Sequence, residues 1–280
     1  LPQSLATSIA AYDLTHFKIK VQGEVETDVA RLRAIADLFD TLDVADYAFT
    51  LDGNEQYRSV AAFRDFWQAL HEDSALESFL RHLLFVEQPL HREVALSEPV
   101  GAALRNWSER PPIIIDESDG ALESLPTALA RGYQGTSHKN CKGVFKGIAN
   151  ACLIARRNRE QPGARFVISG EDLANVGPVA LLQDLAVLAT LGIEHAERNG
   201  HHYFAGLRML PRAVQTQMLS EHGDLYRMHD DQFATLAIEE GRIEIDSVVD
   251  APFGLRVHLD PSQFTPLDQW QSTSLFQEIL

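Results

Sequence analysis

The stretch Pro111-Pro112-Ile113-Ile114-Ile115-Asp116-Glu117-Ser118 restricts the folds open to this chain more than any other. Two prolines open it, three β-branched residues follow, and two carboxylates come next. An unbroken apolar run of this kind reads as a strand buried on both faces, as in a parallel sheet. Two other runs share the form. Leu83-Leu84-Phe85-Val86 ends in Glu87-Gln88-Pro89, and Tyr47-Ala48-Phe49-Thr50-Leu51 ends in Asp52-Gly53-Asn54-Glu55. Three buried strands ending in carboxylates point to a hard cation such as Mg²⁺, which prefers carboxylate oxygens and keeps some waters.

The rest of the chain alternates strand and helix. Phe17-Lys18-Ile19-Lys20-Val21 alternates apolar residues with Lys, which predicts a strand with both lysines on one side. Apolar residues at helical spacing (Val29, Leu32, Ile35, Ala36, Phe39) predict a helix from Glu26 to Leu42. Further helices are expected from Ser59 to Leu83, broken near Glu72-Asp73-Ser74, and from Pro99 to Trp107, Leu122 to Arg131, Val144 to Arg157 and Val179 to Leu191. Further strands are expected from Gly132 to Lys139, Ala164 to Gly170 and His202 to Leu207.

A repeat of roughly 30 residues per strand and helix is the size of a βαβ unit. The chain has 280 residues, which suits one α/β barrel of roughly 250 residues with its active residues at the C-terminal strand ends. Seven strands are expected here, where a closed barrel of this kind has eight. Residues 1–16 leave little room for a strand and its helix, and the chain begins with Leu1 rather than Met, so the first strand is expected upstream. Residues 1–211 are expected to form the barrel. Residues 212–280 are expected to be a tail packing back on it, with short strands at Arg242–Val248 and Leu255–Leu259.

The formal net charge of −16 argues against a nucleic-acid backbone or an anionic membrane surface as partner. It leaves room for an anionic small molecule, because a local cation or lysine pair inverts the field inside a site. Two cysteines, Cys141 and Cys152, make a disulfide framework unexpected and fit a reducing cytoplasm. No apolar run is long enough to span a bilayer.

Lys18-Ile19-Lys20, then Asp52-Gly53-Asn54, Glu87-Gln88-Pro89, Asp116-Glu117-Ser118 and a lysine at 139 follow one another in strand order. This series resembles the enolase superfamily, and within it the muconate-lactonizing-enzyme subgroup (the mandelate racemase/muconate lactonizing enzyme family). The resemblance covers roughly residues 15 to 210. It implies a modified TIM-type (β/α)7β barrel, short in this chain of its first strand and of the family's N-terminal capping domain. It implies a Mg²⁺ enzyme, with Mn²⁺ as a substitute, that removes the α-proton of a carboxylate substrate. The metal-stabilised enediolate then leads to racemisation or epimerisation, to syn-dehydration as in o-succinylbenzoate synthase, or to cycloisomerisation, so the class is isomerase or lyase.

By the same resemblance Asp52, Glu87 and Asp116 hold the metal, with Glu117 as an alternative third ligand. Lys20 is the base and Lys18 contacts the substrate carboxylate. Lys139 is the second acid/base on the opposite side, with Lys142 as its alternative. Asn54, Gln88, Glu117 and His138 would support these groups from behind. A base must be uncharged, and a second lysine on the same strand face, partial burial and a nearby metal cation all lower a lysine's pKa. The mandelate racemase subgroup is set aside because the strand ending Ser169-Gly170-Glu171-Asp172 lacks its His. Dipeptide epimerases are disfavoured because Phe204-Ala205-Gly206-Leu207-Arg208 lacks their Asp-x-Asp.

Plainer readings exist for single residues. Lys18 and Lys20 alone suit a solvated strand face, and Asp52 and Asp116 alone suit helix N-caps. Glu87 is harder to explain so, because a carboxylate after a buried run is costly unless paired or metal-bound. His91 reads as surface or supporting, and His195, His201 and His202 lack a metal spacing and read as structural. For the whole chain the alternative is a non-catalytic relative that binds a metal or a carboxylate. The expected partner is a small carboxylate, without nucleic acid or membrane, and homo-oligomerisation is left open.

Overall fold

The apolar runs become parallel strands. The computed structural model describes residues 4–171, 175–198 and 204–271. They fall into two units: Ser4–Glu171 with Leu191–Glu197, and the described residues of Asp172–Thr190 and Arg198–Leu280.

The first unit holds β1 (His16–Lys20), β2 (Ala48–Asp52), β3 (Leu83–Glu87), β4 (Ile113–Ile115), β5 (Gly135–His138), β6 (Val167–Glu171) and β7 (Ala196–Glu197). They form one seven-stranded parallel sheet in sequence order. β1 and β7 are its edges. Yet Lys18 on β1 ion-pairs with Glu171 on β6 and Glu197 on β7. The rings of His16 and His195 stack at 5.5 Å at the same seam. The sheet is therefore rolled into a nearly closed barrel, and side chains hold the β7–β1 seam.

Helices α1 (Leu5–Tyr12), α2 (Val25–Thr41), α3 (Val60–Glu72), α4 (Glu77–Leu80), α5 (Arg92–Ala95), α6 (Glu98–Arg105), α7 (Ser124–Arg131) and α8 (Val144–Glu160) complete the unit. α3 shows how sequence becomes packing. Ser59 caps it by accepting from the Ala62 N–H, and Val60, Phe63, Phe66, Trp67 and Leu70 form its buried face. Phe63 meets Trp107 edge-on at 5.6 Å, and Phe66 stacks on Tyr57 at 5.9 Å. Each such ring contributes about 1.5–3 kcal/mol by burial.

The second unit contains α9 (Val179–Leu191, up to Thr190), α10 (Arg212–Glu221), a hairpin of β8 (Tyr226–His229) and β9 (Phe233–Leu236), and α11 (Asp246–Val249). Leu182, Met218, Leu225, Tyr226, Ala234 and Val248 form its core. The Ser247 hydroxyl donates to Asp224 at 2.5 Å and meets Nδ1 of the fully buried His222 at 2.9 Å. Its hydroxyl proton is already spent on Asp224, so this trio ties the chain rather than arming a nucleophile.

Two expectations need correction. Among the described residues the last barrel strand is Ala196–Glu197: of the expected strand His202–Leu207, Phe204–Leu207 is irregular, and His202 and Tyr203, like His201, lie outside the described residues. The tail's strands are β8 and β9, joined through the left-handed Asp230 and Asp231, whereas Asp246–Val249 is helical and Leu255–Leu259 is not a strand. Residues Leu5–Tyr12 form a helix capped by Ser4. Cys141 and Cys152 are free and exposed. Among the described residues no helix is long and apolar enough to cross a membrane.

Candidate active site

Parallel register brings the charged strand ends into one row. Lys20 sits opposite Asp52, and Asp52 opposite Glu87. Asp116 follows β4 directly, Lys139 follows β5, and Glu171 and Glu197 end β6 and β7. The β2 and β3 ends are held close because residue 53 is glycine: a Cβ there would lie 2.6 Å from Pro89 Cα. Neither Asp52 nor Asp116 caps a helix; Ser59 caps α3, and Asp52 instead accepts from the Asn54 N–H at 2.9 Å.

Lys18 lies at the centre. Its Nζ is 2.9 Å from Asp52, 3.0 Å from Glu87, 2.7 Å from Glu197 and 3.5 Å from Glu171. Lys20, more exposed, reaches the same Asp52 oxygen at 2.6 Å. Across the barrel Lys139 contacts Asp116 at 2.9 Å and also pairs with Glu171. Lys142 holds the other Asp116 oxygen at 2.5 Å and donates to the carbonyls of Asp116 and Ser137. Asp116 thus faces both candidate lysines of that wall, and they do not exclude one another.

Crowded charge shifts these groups. Burial raises the Glu87 pKa to about 7; Lys18 opposes this, while Asp52 and Asp116 add to it. Glu117 is raised by burial and by its neighbour Asp116. Asp116 is lowered: burial opposes its charge, but Lys142 and Lys139 outweigh burial. Lys18 is held as a cation. Burial works against its charge, yet Glu87, Asp52 and Glu197 together hold its pKa well above the usual lysine range. The physical reason is that Lys18 faces several carboxylates, which outweigh a single like charge two residues away.

The supporting residues are placed unequally. Gln88, fully buried and left-handed at φ 33°, accepts from the Asp116 and Ser118 N–H groups at 2.8 and 3.1 Å. Its amide donates to Leu90 O and Ser118 Oγ at 2.6 and 2.8 Å. Gln88 therefore moulds the loop that carries Asp116. Asn54 donates to Glu117 Oε1 at 3.1 Å. His138 packs against α8 instead, where a Cβ on Gly147 would lie 2.5 Å from its ring, and burial lowers its pKa. His91 caps α5.

Sequence reasoning left Glu171 without a role and did not name Glu197. Alternation along Val167–Glu171 was the available signal for Glu171. Asp172, the next residue, lies outside the described residues. Glu197 had no signal, because a two-residue strand shows no period. Its position also removes the basis on which dipeptide epimerases were disfavoured, since Phe204–Arg208 is not the last strand.

The donor set fits a divalent cation in its chemistry. Asp52, Glu87, Asp116, Glu171 and Glu197 share the lysines 18, 20, 139 and 142, and Glu117 Oε2 beside them is buried with no hydrogen-bond partner. Among the described residues these groups are not drawn into a ready metal cage, because lysine ammoniums stand between the carboxylates.

No family model matches the sequence, and no curated protein matches it. Solved structures do. N-succinyl Arg/Lys racemase from Bacillus cereus ATCC 14579 matches at 18% identity and TM-score 0.52, over 87% of this chain and 57% of that one. A mandelate racemase/muconate lactonizing protein from Paracoccus denitrificans PD1222, complexed with magnesium, matches at 14% identity and TM-score 0.49, over 87% and 58%. Muconate lactonizing enzyme from Pseudomonas putida matches at 18% identity and TM-score 0.45, over 69% and 49%. The chain spans about half the length of the solved structures it matches. The likeness to the racemase is one of fold: a nearly closed barrel of parallel strands with flanking helices.

Proposed function

We propose that this chain is the barrel part of a Mg²⁺-dependent enzyme that removes the α-proton of a carboxylate substrate. One observation carries the reading: Lys20 from β1 and Lys139 just after β5 enter from opposite walls and end on carboxylates of a single buried cluster. A racemase sharing the fold supports it. No observation favours the non-catalytic alternative.

Asp52, Glu87 and Asp116 would hold Mg²⁺, with Glu117 beside them. The bound ion would supply Lewis-acid stabilisation of the negative charge that develops on the substrate carboxylate. Lys18, held as a cation, orients that carboxylate by charge. Lys20 is the more exposed of the β1 pair and takes the α-proton once released from Asp52. Lys139 faces the other side of the α-carbon. Returning a proton there inverts the centre, and holding charge there instead favours loss of a leaving group or ring closure.

The test is α-hydrogen exchange. The full-length protein is incubated in heavy water with Mg²⁺ and a panel of carboxylic acids, N-acylated amino acids included. Exchange that disappears in Lys20→Ala and Lys139→Ala is the expected result. No exchange by the unsubstituted protein across the panel would overturn the reading.

A further inference from the structure

A second acid–lysine pair lies behind the site, and the proposed chemistry does not use it. Asp119 and Lys146 are 2% and 9% exposed, and their charged atoms are 2.9 Å apart. The other Asp119 oxygen accepts from Thr136 Oγ1 at 2.9 Å and Asn150 Nδ2 at 3.1 Å, and Lys146 also donates to the Asp119 carbonyl. The pair thus locks together the β4–α7 turn, β5 and α8.

Burying two charges costs more than packing apolar groups of the same shape, so such a pair is poorly explained by stability alone. Its location explains it better. Asp119 lies three residues after Asp116, and its N–H donates to the Asp116 carbonyl at 3.0 Å. Thr136 lies three residues before Lys139, and Lys146 lies four residues after Lys142. Side chains alternate along β5, so Thr136 and His138 face α8 while Ser137 points the other way, and Lys139 is the next residue on Ser137's side. The pair therefore grips the backbone on both sides of the Asp116–Lys139 and Asp116–Lys142 contacts without entering the site.

We propose that Asp119 and Lys146 are positioning residues that set the spacing between the carboxylate Asp116 and the acid/base lysine of the opposite wall. The inference rests on the proposed function for its catalytic meaning, and its geometric core stands apart from it.

The test replaces both charges at once. Asp119→Asn keeps an acceptor for Thr136 and Asn150, and Lys146→Met keeps the length of the side chain, so the double variant folds with little loss of melting temperature. In the exchange assay kcat falls about tenfold or more while KM changes less than threefold. Mn²⁺ affinity, read by electron paramagnetic resonance, falls by a similar factor. A crystal structure of the variant shows the Asp116–Lys139 contact opened. Wild-type kcat and Mn²⁺ affinity in the double variant would overturn the proposal. If the unsubstituted protein neither exchanges protons nor binds Mn²⁺, the functional reading fails. The crystal structure then decides the positioning claim alone, and an unchanged Asp116–Lys139 contact refutes it.

Discussion

Asp116 and Asp119 stand three residues apart on one turn, and each is paired with lysine, yet the two clusters are built differently. Around Asp119 the pairing is closed: one lysine, one threonine and one asparagine satisfy it in a buried pocket. Around Asp116 it is shared. Lys139 and Lys142 divide its oxygens, Lys139 also serves Glu171, and Glu171 also serves Lys18. A closed pair fixes backbone. A shared network with a buried, unpartnered Glu117 oxygen can trade partners when a cation or an anionic substrate arrives. The difference separates scaffold from working site within a single loop.

The largest expected effect is on the shared side. Lys139→Ala should lower α-proton exchange about a thousandfold, within the range for loss of a positioned acid/base. Its melting temperature should stay close to wild type, because Lys142 still holds Asp116. Hydrogen exchange into substrate and a thermal melt check both halves. On the closed side the outcome reverses: Lys146→Ala strands a buried carboxylate and should destabilise the fold by about 3–5 kcal/mol, measured by urea unfolding. If the two variants behaved alike, the contrast between the clusters would be lost.

A smaller effect is expected from pH. Glu87 titrates near 7 in the folded barrel against an ordinary 4.5, so the folded protein holds its proton more tightly than the unfolded chain. That stabilisation is complete below about pH 4.5 and is lost as pH rises through 7. Melting temperature should therefore fall across this window, and Glu87→Gln should flatten the fall. Added Mg²⁺ or Mn²⁺ should raise the melting temperature more at pH 8 than at pH 5, because the proton competes for the same carboxylates. The smallest effect concerns Ser137, whose buried hydroxyl has no hydrogen-bond partner. Ser137→Ala should change stability by no more than about 0.5 kcal/mol, since an unsatisfied polar group is removed.

The chain shows where sequence reasoning succeeds and where it stops. β2, β3 and β4 were legible because long apolar runs ended in short polar signatures, and parallel register then aligned Asp52 with Glu87. β7 was not. It has two residues with polar neighbours, and the more apolar Tyr203-Phe204-Ala205 nearby drew the assignment away. The β8–β9 hairpin carried its signal in Asp230-Asp231, residues that tolerate a left-handed turn, but its strands are short and mixed. Asp119 and Lys146 could not be found at all from sequence. A lysine inside a helix reads as solvent-facing, and an aspartate after a strand reads as a turn, until the fold buries both.

The sharpest test of the account is a Mn²⁺ soak of a crystal, read by anomalous scattering. The account predicts a peak among Asp52, Glu87 and Asp116, with Lys20 and Lys139 on either side of it and no peak at Asp119. An absent peak at millimolar Mn²⁺, with the lysine–carboxylate contacts intact, would contradict it. The shared cluster would then be a second scaffold rather than a working site.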